Sequence, residues 1–357
     1  MAEIITVMGA VSRERLGVTL SHLHLLSELT VSERGTSSAS IPGLDVPASE
    51  RLLFDQPVTM DRLGFIRRHV MSVKDNLLLG DIEDAINELM FYKRMGGGSA
   101  VECTCIGIRR DPLGLRQISA AAGVNIVCCT GWYIAASHPA FVKEGSIDDL
   151  CDYMVKELTA GIGDTGIRAG LIKAAMSGAT PATPFSGDEE KVLRAAARAQ
   201  AKTGAAMTMH PCHHYGRAKH WDTYLDILKK EGADLEKCYL SHMEFYSTDI
   251  DYQKALLDRG VTVSYDQFGS EQYVRPGWPK PTDRMRVDAV VRLIREGYAK
   301  QIMLSNEVVF KCCLRKYGGY GYAHVLENIV PDLKYYDVTE EQLQTMLVEN
   351  PKRLLPF

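Results

Sequence analysis

The chain has no CxxC pair, no run of 18 apolar residues and no basic block. Its nine cysteines are an odd number, and several stand side by side or nearly so (Cys103 and Cys105, Cys128 and Cys129, Cys312 and Cys313). In 357 residues that usage reads as reduced, buried thiols in a cytoplasmic protein, not as a disulfide scaffold. Without a long apolar run no spanning helix is expected. The net charge of −4 comes from 41 basic and 45 acidic side chains, with no basic cluster, so neither a nucleic-acid nor a membrane surface is expected. Met1 to Thr6 lack the basic and apolar regions of a signal peptide. An apolar content of 46% and a charged content of 24% are those of an ordinary globular protein.

What is present is a regular alternation of short β-prone runs and helical stretches. A small hairpin is expected at Ile4 to Val7, closing one end of the fold. Strand-like runs follow at Val18–His24, Ala100–Cys103, Asn125–Thr130, Arg168–Ala174, Ala205–His210, Lys237–His242, Val261–Tyr265 and Gln301–Ser305. Between them, apolar residues at spacings of three and four mark helices at Asp81–Met95, Pro112–Ala122, Ile147–Thr159, Asp188–Thr203, Trp221–Gly232, Tyr252–Arg259 and Arg284–Gly297, with Val338–Val348 as the last. Residues 33–76, broken by Gly35, Pro42, Gly43, Pro47 and Pro57, read as a long loop with short helices. Gly96 to Gly98 read as a helix C-cap and turn, not as a phosphate cradle, because they precede a strand. Eight β-α units predict an α/β fold, a (β/α)8 TIM barrel over 1–357 as a single domain, with a small N-terminal β-hairpin and long βα loops.

The chemistry-bearing residues fall at strand ends. His22 and His24, at i and i+2, point to one face of the first strand. Two imidazoles there suit a metal ion, though HxH alone is as well explained by one packed and one exposed histidine. Lys173, His210, His242 and Glu307 occupy the equivalent ends of later strands. In a barrel those ends share one mouth, where active sites are built. Lys173 follows the apolar run Ala169–Ile172 and is expected to point inward. A protonated lysine would be repelled by two metals. As a carbamate, an N6-carboxylysine, it becomes an anion whose two oxygens span two ions about 3.5–4 Å apart.

These stretches resemble the phosphotriesterase family of the amidohydrolase superfamily. The likeness runs over essentially the whole chain. It includes Leu16-Gly17-Val18-Thr19-Leu20-Ser21-His22-Leu23-His24, Gly170-Leu171-Ile172-Lys173, Ser241-His242-Met243, Leu304-Ser305, Lys316–Tyr322 and Glu349-Asn350-Pro351. The resemblance implies two divalent metal ions, zinc first and manganese, iron or cobalt as alternatives. His22, His24 and Glu307 would hold one ion, and His210 and His242 the other. Carboxylated Lys173 and a hydroxide would lie between the two. Leu23 stands where the family has Glu, Glu244 where it has Asp, and Glu307 where its last ligand is Asp.

The resemblance further implies a hydrolase acting on a small-molecule substrate, and a homodimer. Glu307 would take the proton of the attacking water, with His242 or Glu244 passing it on. A lactone or carboxylic ester is the first substrate class, with promiscuous phosphotriesterase activity. The alternatives are an amidase or deacylase of N-acyl compounds, and a barrel that binds metal or ligand without hydrolysis. Tyr133 is expected at the substrate or as a half-buried aromatic. The loop carrying Tyr273, Arg275 and Trp278 reads as a lid over a leaving-group pocket. Arg275, and the pair Arg109 and Arg110, would bind a substrate anion or be solvated. His213 and His214 would line the mouth or be exposed.

Overall fold

The structure, a computed structural model, describes residues 2–30, 51–178, 180, 182–211, 219–275 and 278–357. The expected strands appear as β1 (Val18–Leu23), β2 (Gly97–Glu102), β3 (Asn125–Gly131), β4 (Leu171–Ala175), β5 (Met207–His210), β6 (Cys238–Leu240), β7 (Thr262–Tyr265) and β8 (Ile302–Leu304). All neighbouring pairs are parallel and the strand order follows the chain from β1 to β8. The sheet nearly closes into a barrel. Its last gap is spanned by a side chain: Ser305 Oγ donates to His22 O at 2.6 Å and accepts from His22 N at 3.0 Å. Glu307 N adds a 3.1 Å bond to the same carbonyl.

The surrounding helices are α1 (Ile82–Arg94), α2 (Pro112–Ala122), α3 (Ile147–Thr159), α4 (Glu189–Thr203), α5 (Trp221–Lys230), α6 (Ile250–Leu257), α7 (Asp283–Arg295) and α8, which runs from Glu340 to Leu354. Their starts are written in short polar side chains. Asp81 caps α1, Ser146 and Asp149 form a reciprocal capping box on α3, and Thr282 caps α7. The alanines of α4, Ala195, Ala196, Ala197 and Ala199, are fully buried and let that helix lie close to its neighbours.

Three boundaries differ from the sequence reading. The strand after α1 begins at Gly97, inside the glycine run, and only Gly96 (φ +99°) makes the turn. A Cβ on Gly98 would lie 2.6 Å from Leu16 O, so its absence lets β2 draw against β1. The last helix continues past Val348, because a wide turn over Thr345–Glu349 precedes Pro351 and absorbs its missing N–H. Of the long loop at 33–76, residues 51–76 hold short helical turns and a helix at Leu63–Arg68, while 33–50 lie outside the described residues.

The hairpin pairs Ile4–Thr6 with Gly9–Val11. Val7 N bonds Ile126 O at the start of β3, so the hairpin closes the end opposite the candidate site. No helix among the described residues is long and apolar enough to cross a membrane. The eight described cysteines are free and buried.

Candidate metal centre and active site

His22, His24, Lys173, His210, His242 and Glu307 meet at the carboxyl end of the barrel. His22 Nε2 lies 3.3 Å from Lys173 Nζ and 3.5 Å from Glu307 Oε1. The same carboxylate oxygen is 3.9 Å from His24 Nε2 and 3.1 Å from His242 Nε2. His210 Nδ1 is 2.8 Å from His242 Nε2. Candidate donor atoms form two sets, His22–His24–Glu307 and His210–His242–Glu307, each within 4.8 Å. Donors that share an ion at about 2.0–2.2 Å stand roughly 3–4 Å from one another, so these sets fit a metal. The resemblance places Glu307 with His22 and His24 alone, but its carboxylate reaches both sets.

A third grouping, His22–His242–Asp266, is of another kind. Asp266 Oδ2 is 2.9 Å from His22 Nδ1, and Oδ1 is 2.7 Å from His242 Nδ1. These are hydrogen bonds made through Nδ1, the ring nitrogen turned away from the Nε2 atoms of the cluster. Asp266 therefore fixes both rings with the proton on Nδ1, which leaves each Nε2 lone pair facing the cluster. His24 is set the same way: its Nδ1 lies 2.8 Å from Thr104 Oγ1, which donates to Glu102. The other oxygen of Glu307 accepts from Gln267 Nε2 at 2.6 Å.

The backbone is strained at the same place. His242 (φ 61°) and Glu307 (φ 35°) adopt left-handed conformations unusual for residues with a Cβ. Gly131 (φ +106°) ends β3 against Lys173, and a Cβ there would lie 1.9 Å from the Lys173 carbonyl oxygen. Only glycine allows that approach.

Electrostatics act on the donors in both directions. Burial, and then the nearby Lys173 ammonium, push the His22 imidazolium down to about 3, so His22 is neutral. Burial also lowers His24. At His242 burial acts downward, but the carboxylates of Asp266 and Glu307 outweigh it and raise the pKa. Burial acts upward on Asp266 and Glu307, yet the imidazoles around them hold both well below the usual carboxylate range.

Other expected residues fall differently. Glu244 is fully buried beside this cluster, and burial pushes it up to about 8. Neither of its carboxylate oxygens has a hydrogen-bond partner among the described residues. Tyr133 is half-buried, its ring edge-on to His210 at 5.4 Å. Tyr273 is 47% exposed, on a short strand, Tyr273–Arg275, that pairs with Trp278–Pro279. The side chains of Arg275 and Trp278, and all of His213 and His214, lie outside the described residues. Arg110 corrects an expectation. It is neither solvated nor open to a substrate, because both its terminal nitrogens bind buried Glu157 at 2.6 and 2.7 Å.

Asp266, Gln267 and Thr104 were not anticipated from the sequence. Asp266 had a signal: it directly follows the β7 run Val261–Tyr265, the same strand-end position as the histidines. Gln267 and Thr104 had none, since neutral polar residues are common at strand ends.

The phosphotriesterase family profile matches residues 2–355. The chain belongs to the phosphotriesterase family. An N-acetyltaurine hydrolase of Xenopus tropicalis is 33% identical over 358 residues, covering 99% of this chain and 97% of that one. The crystal structure of a resiniferatoxin-binding protein from Rhodobacter sphaeroides superposes with a TM-score of 0.90 at 34% identity, covering 99% of this chain and 95% of that one. A phosphotriesterase-like lactonase mutant from Deinococcus radiodurans gives a TM-score of 0.74 at 26% identity, covering 99% of each chain. This phosphotriesterase-family chain is a hydrolase on a barrel of the same kind as its relatives.

Proposed function

We propose that this hydrolase cleaves the amide bond of a small N-acyl compound at a centre of two divalent metal ions. The observation that carries the reading is the convergence of six ligand-type side chains on one rim. The substrate class is drawn from similarity to the N-acetyltaurine hydrolase along nearly the whole chain. His22, His24 and Glu307 would hold one ion and His210 and His242 the other, with Lys173 as its carbamate between them. Imidazole and carboxylate donors suit zinc, and also manganese, iron or cobalt. When bound, the ions lower the pKa of water toward ~7 and polarise the acyl oxygen.

The chain's own groups manage the proton. Glu307 is ionised, and Gln267 occupies one of its oxygens. The other, Oε1, is the base that accepts the proton of the attacking water. Buried Glu244, beside His242, would pass it on, since His242 Nε2 would be committed to its ion. The leaving nitrogen must receive this proton, because an amide anion is too basic to depart. A lactone alkoxide needs it less.

Lactone or ester hydrolysis is the second reading. It is favoured by Tyr133, whose ring lies against His210 at the mouth, and by the likeness to the lactonase. Metal-loaded protein assayed with N-acetyltaurine, N-acetyl amino acids, γ-lactones and a phosphotriester separates the two. Higher kcat/KM on the amides is expected. Turnover of lactones with none of any amide would overturn the first reading in favour of the second.

A further inference from the structure

A cavity of about 350 Å³ lies between the loops that follow β7 and β8. Arg67, Gly269, Gln272, Cys313, Gly319 and Tyr320 are among its walls. Both loops start in the site itself. Gly269 comes two residues after Gln267, which holds Glu307, and the β8 loop begins with Glu307.

Two cations stand on and behind the wall of this cavity. Lys280 is buried just behind its wall, with 7% of its surface exposed. Its ammonium donates to Ser270 Oγ at 2.7 Å and lies 5.2 Å from the Phe310 ring centre. No carboxylate stands within ion-pair distance of it among the described residues. Ser270 passes the contact to the cavity wall, donating to Gln272 Oε1 at 2.8 Å, and Gln272 Nε2 reaches Cys313 Sγ at 3.0 Å. On the cavity wall itself stands a second cation, exposed Arg67, whose Nη2 donates to a carbonyl, Gly318 O, at 2.7 Å. Among the described residues the one acid on the wall, Glu271, is turned to the start of α7, where it accepts from Asp283 N at 2.6 Å. The Cys313 thiol registers the resulting field. Its bond with Cys312 comes first, and the positive charges of Lys280 and Arg67 also help hold its pKa below the usual value.

A buried ammonium without a bonded anion is costly. Burial lowers the pKa of Lys280, and Glu307, the strongest of the charges acting the other way, is committed to the imidazoles of the rim. Divalent ions at the rim would make the surroundings more positive still. The missing negative charge is one that a substrate can bring.

We infer that this cavity is the subsite for an anionic end of the substrate, a sulfonate or carboxylate, with Lys280 and Arg67 supplying the positive charge. The inference rests on the amide-hydrolase reading for its substrate class: an N-acyl amino acid or amino sulfonate would place its acyl group at the rim and its acid in the cavity.

The test is a Lys280→Met variant of the metal-loaded protein, with Arg67→Ala and Lys280→Arg beside it. Steady-state kinetics with N-acetyltaurine, N-acetyl-β-alanine and the uncharged N-acetylethylamine give the first readout. Calorimetric binding of free taurine and β-alanine gives a second that needs no turnover. Lys280→Met is expected to raise KM for the anionic amides about 10- to 100-fold. The uncharged amide should be unaffected, and Lys280→Arg should restore part of the loss. The sulfonate and carboxylate arms tell which acid the subsite prefers. Equal losses on charged and uncharged amides, or none on either, would overturn the subsite while leaving amide hydrolysis intact. No amide turnover at all, with taurine or β-alanine binding that Lys280→Met abolishes, would instead sink the amidase reading and keep the subsite.

Discussion

Asp266 Oδ1 lies 2.7 Å from His242 Nδ1, and the same oxygen accepts from the His242 backbone N at 3.0 Å. The second oxygen of the carboxylate takes His22. One buried side chain on β7's end thus orients an imidazole from each of the two candidate metal sets. The arrangement needs a carboxylate, because both histidines donate to it and it donates to neither.

Asp266→Asn tests that requirement. The amide keeps the volume but replaces one acceptor by a donor, so one of the two imidazoles must turn or take the other tautomer. Metal affinity is expected to fall about 10- to 100-fold, the usual effect of losing an orienting partner behind a ligand. Metal content after dialysis against graded chelator measures it. Retention equal to that of the unaltered protein would show that Asp266 has no part in the centre.

Lys173→Met should remove metal and activity together. Lys173 Nζ sits 3.3 Å from His22 Nε2 inside the cluster, and as its carbamate it would be an anionic ligand. Ligand binding stabilises a fold by mass action, about 4 kcal/mol at a thousand times Kd. The unaltered protein should therefore gain several degrees in Tm on adding zinc or manganese, and Lys173→Met little. A variant that binds two ions and turns over substrate as before would refute the site.

Glu102 carries a pH prediction. It is fully buried and accepts from Leu25 N, Thr104 N and Thr104 Oγ1, but burial dominates and pushes it up to about 7. The ordinary value is about 4.3. The folded state therefore holds the proton more tightly than the unfolded chain between these values. The stability linked to that proton is complete below about pH 4.3 and is lost as pH rises to about 7, a loss on the order of 3 kcal/mol. Glu102→Gln should flatten this part of the slope. Urea unfolding of chelator-treated protein at several pH values compares the two, and parallel slopes would count against the assignment.

Much of this was legible before any coordinates. The period of β-α alternation names the barrel, and strand-end histidines are visible because each ends a β-prone run, as Met207-Thr208-Met209-His210 does. What stayed hidden has physical reasons. Asp266 acts through two side chains whose positions lie 24 and 244 residues away along the chain, and no local pattern carries such a contact. The left-handed backbone of His242 and Glu307 is imposed by tertiary packing against residue preference. Arg110 reads from the sequence as either a substrate-anion ligand or a solvated charge because its partner, Glu157, sits on a helix 47 positions on.

That partnership yields the last prediction. Arg110 and Glu157 form a bidentate pair with side-chain exposures of 7% and 4%. Arg110 Nη1 also donates to Cys129 O, and Thr130 Oγ1 donates to Glu157 Oε2 at 2.6 Å. Two desolvated charges of this kind roughly offset their own burial cost, whereas one left alone does not. Arg110→Met should therefore lower unfolding stability by about 3–5 kcal/mol. Adding Glu157→Leu should return part of that, the remainder being the Thr130 hydroxyl left without its acceptor. Because the two charges are committed to each other, kcat/KM per folded molecule should be unchanged in both variants. Chemical unfolding with parallel kinetics decides it: a double variant at least as unstable as Arg110→Met would mean that the pair stabilises the fold outright, and a drop in kcat/KM would place it in contact with the site.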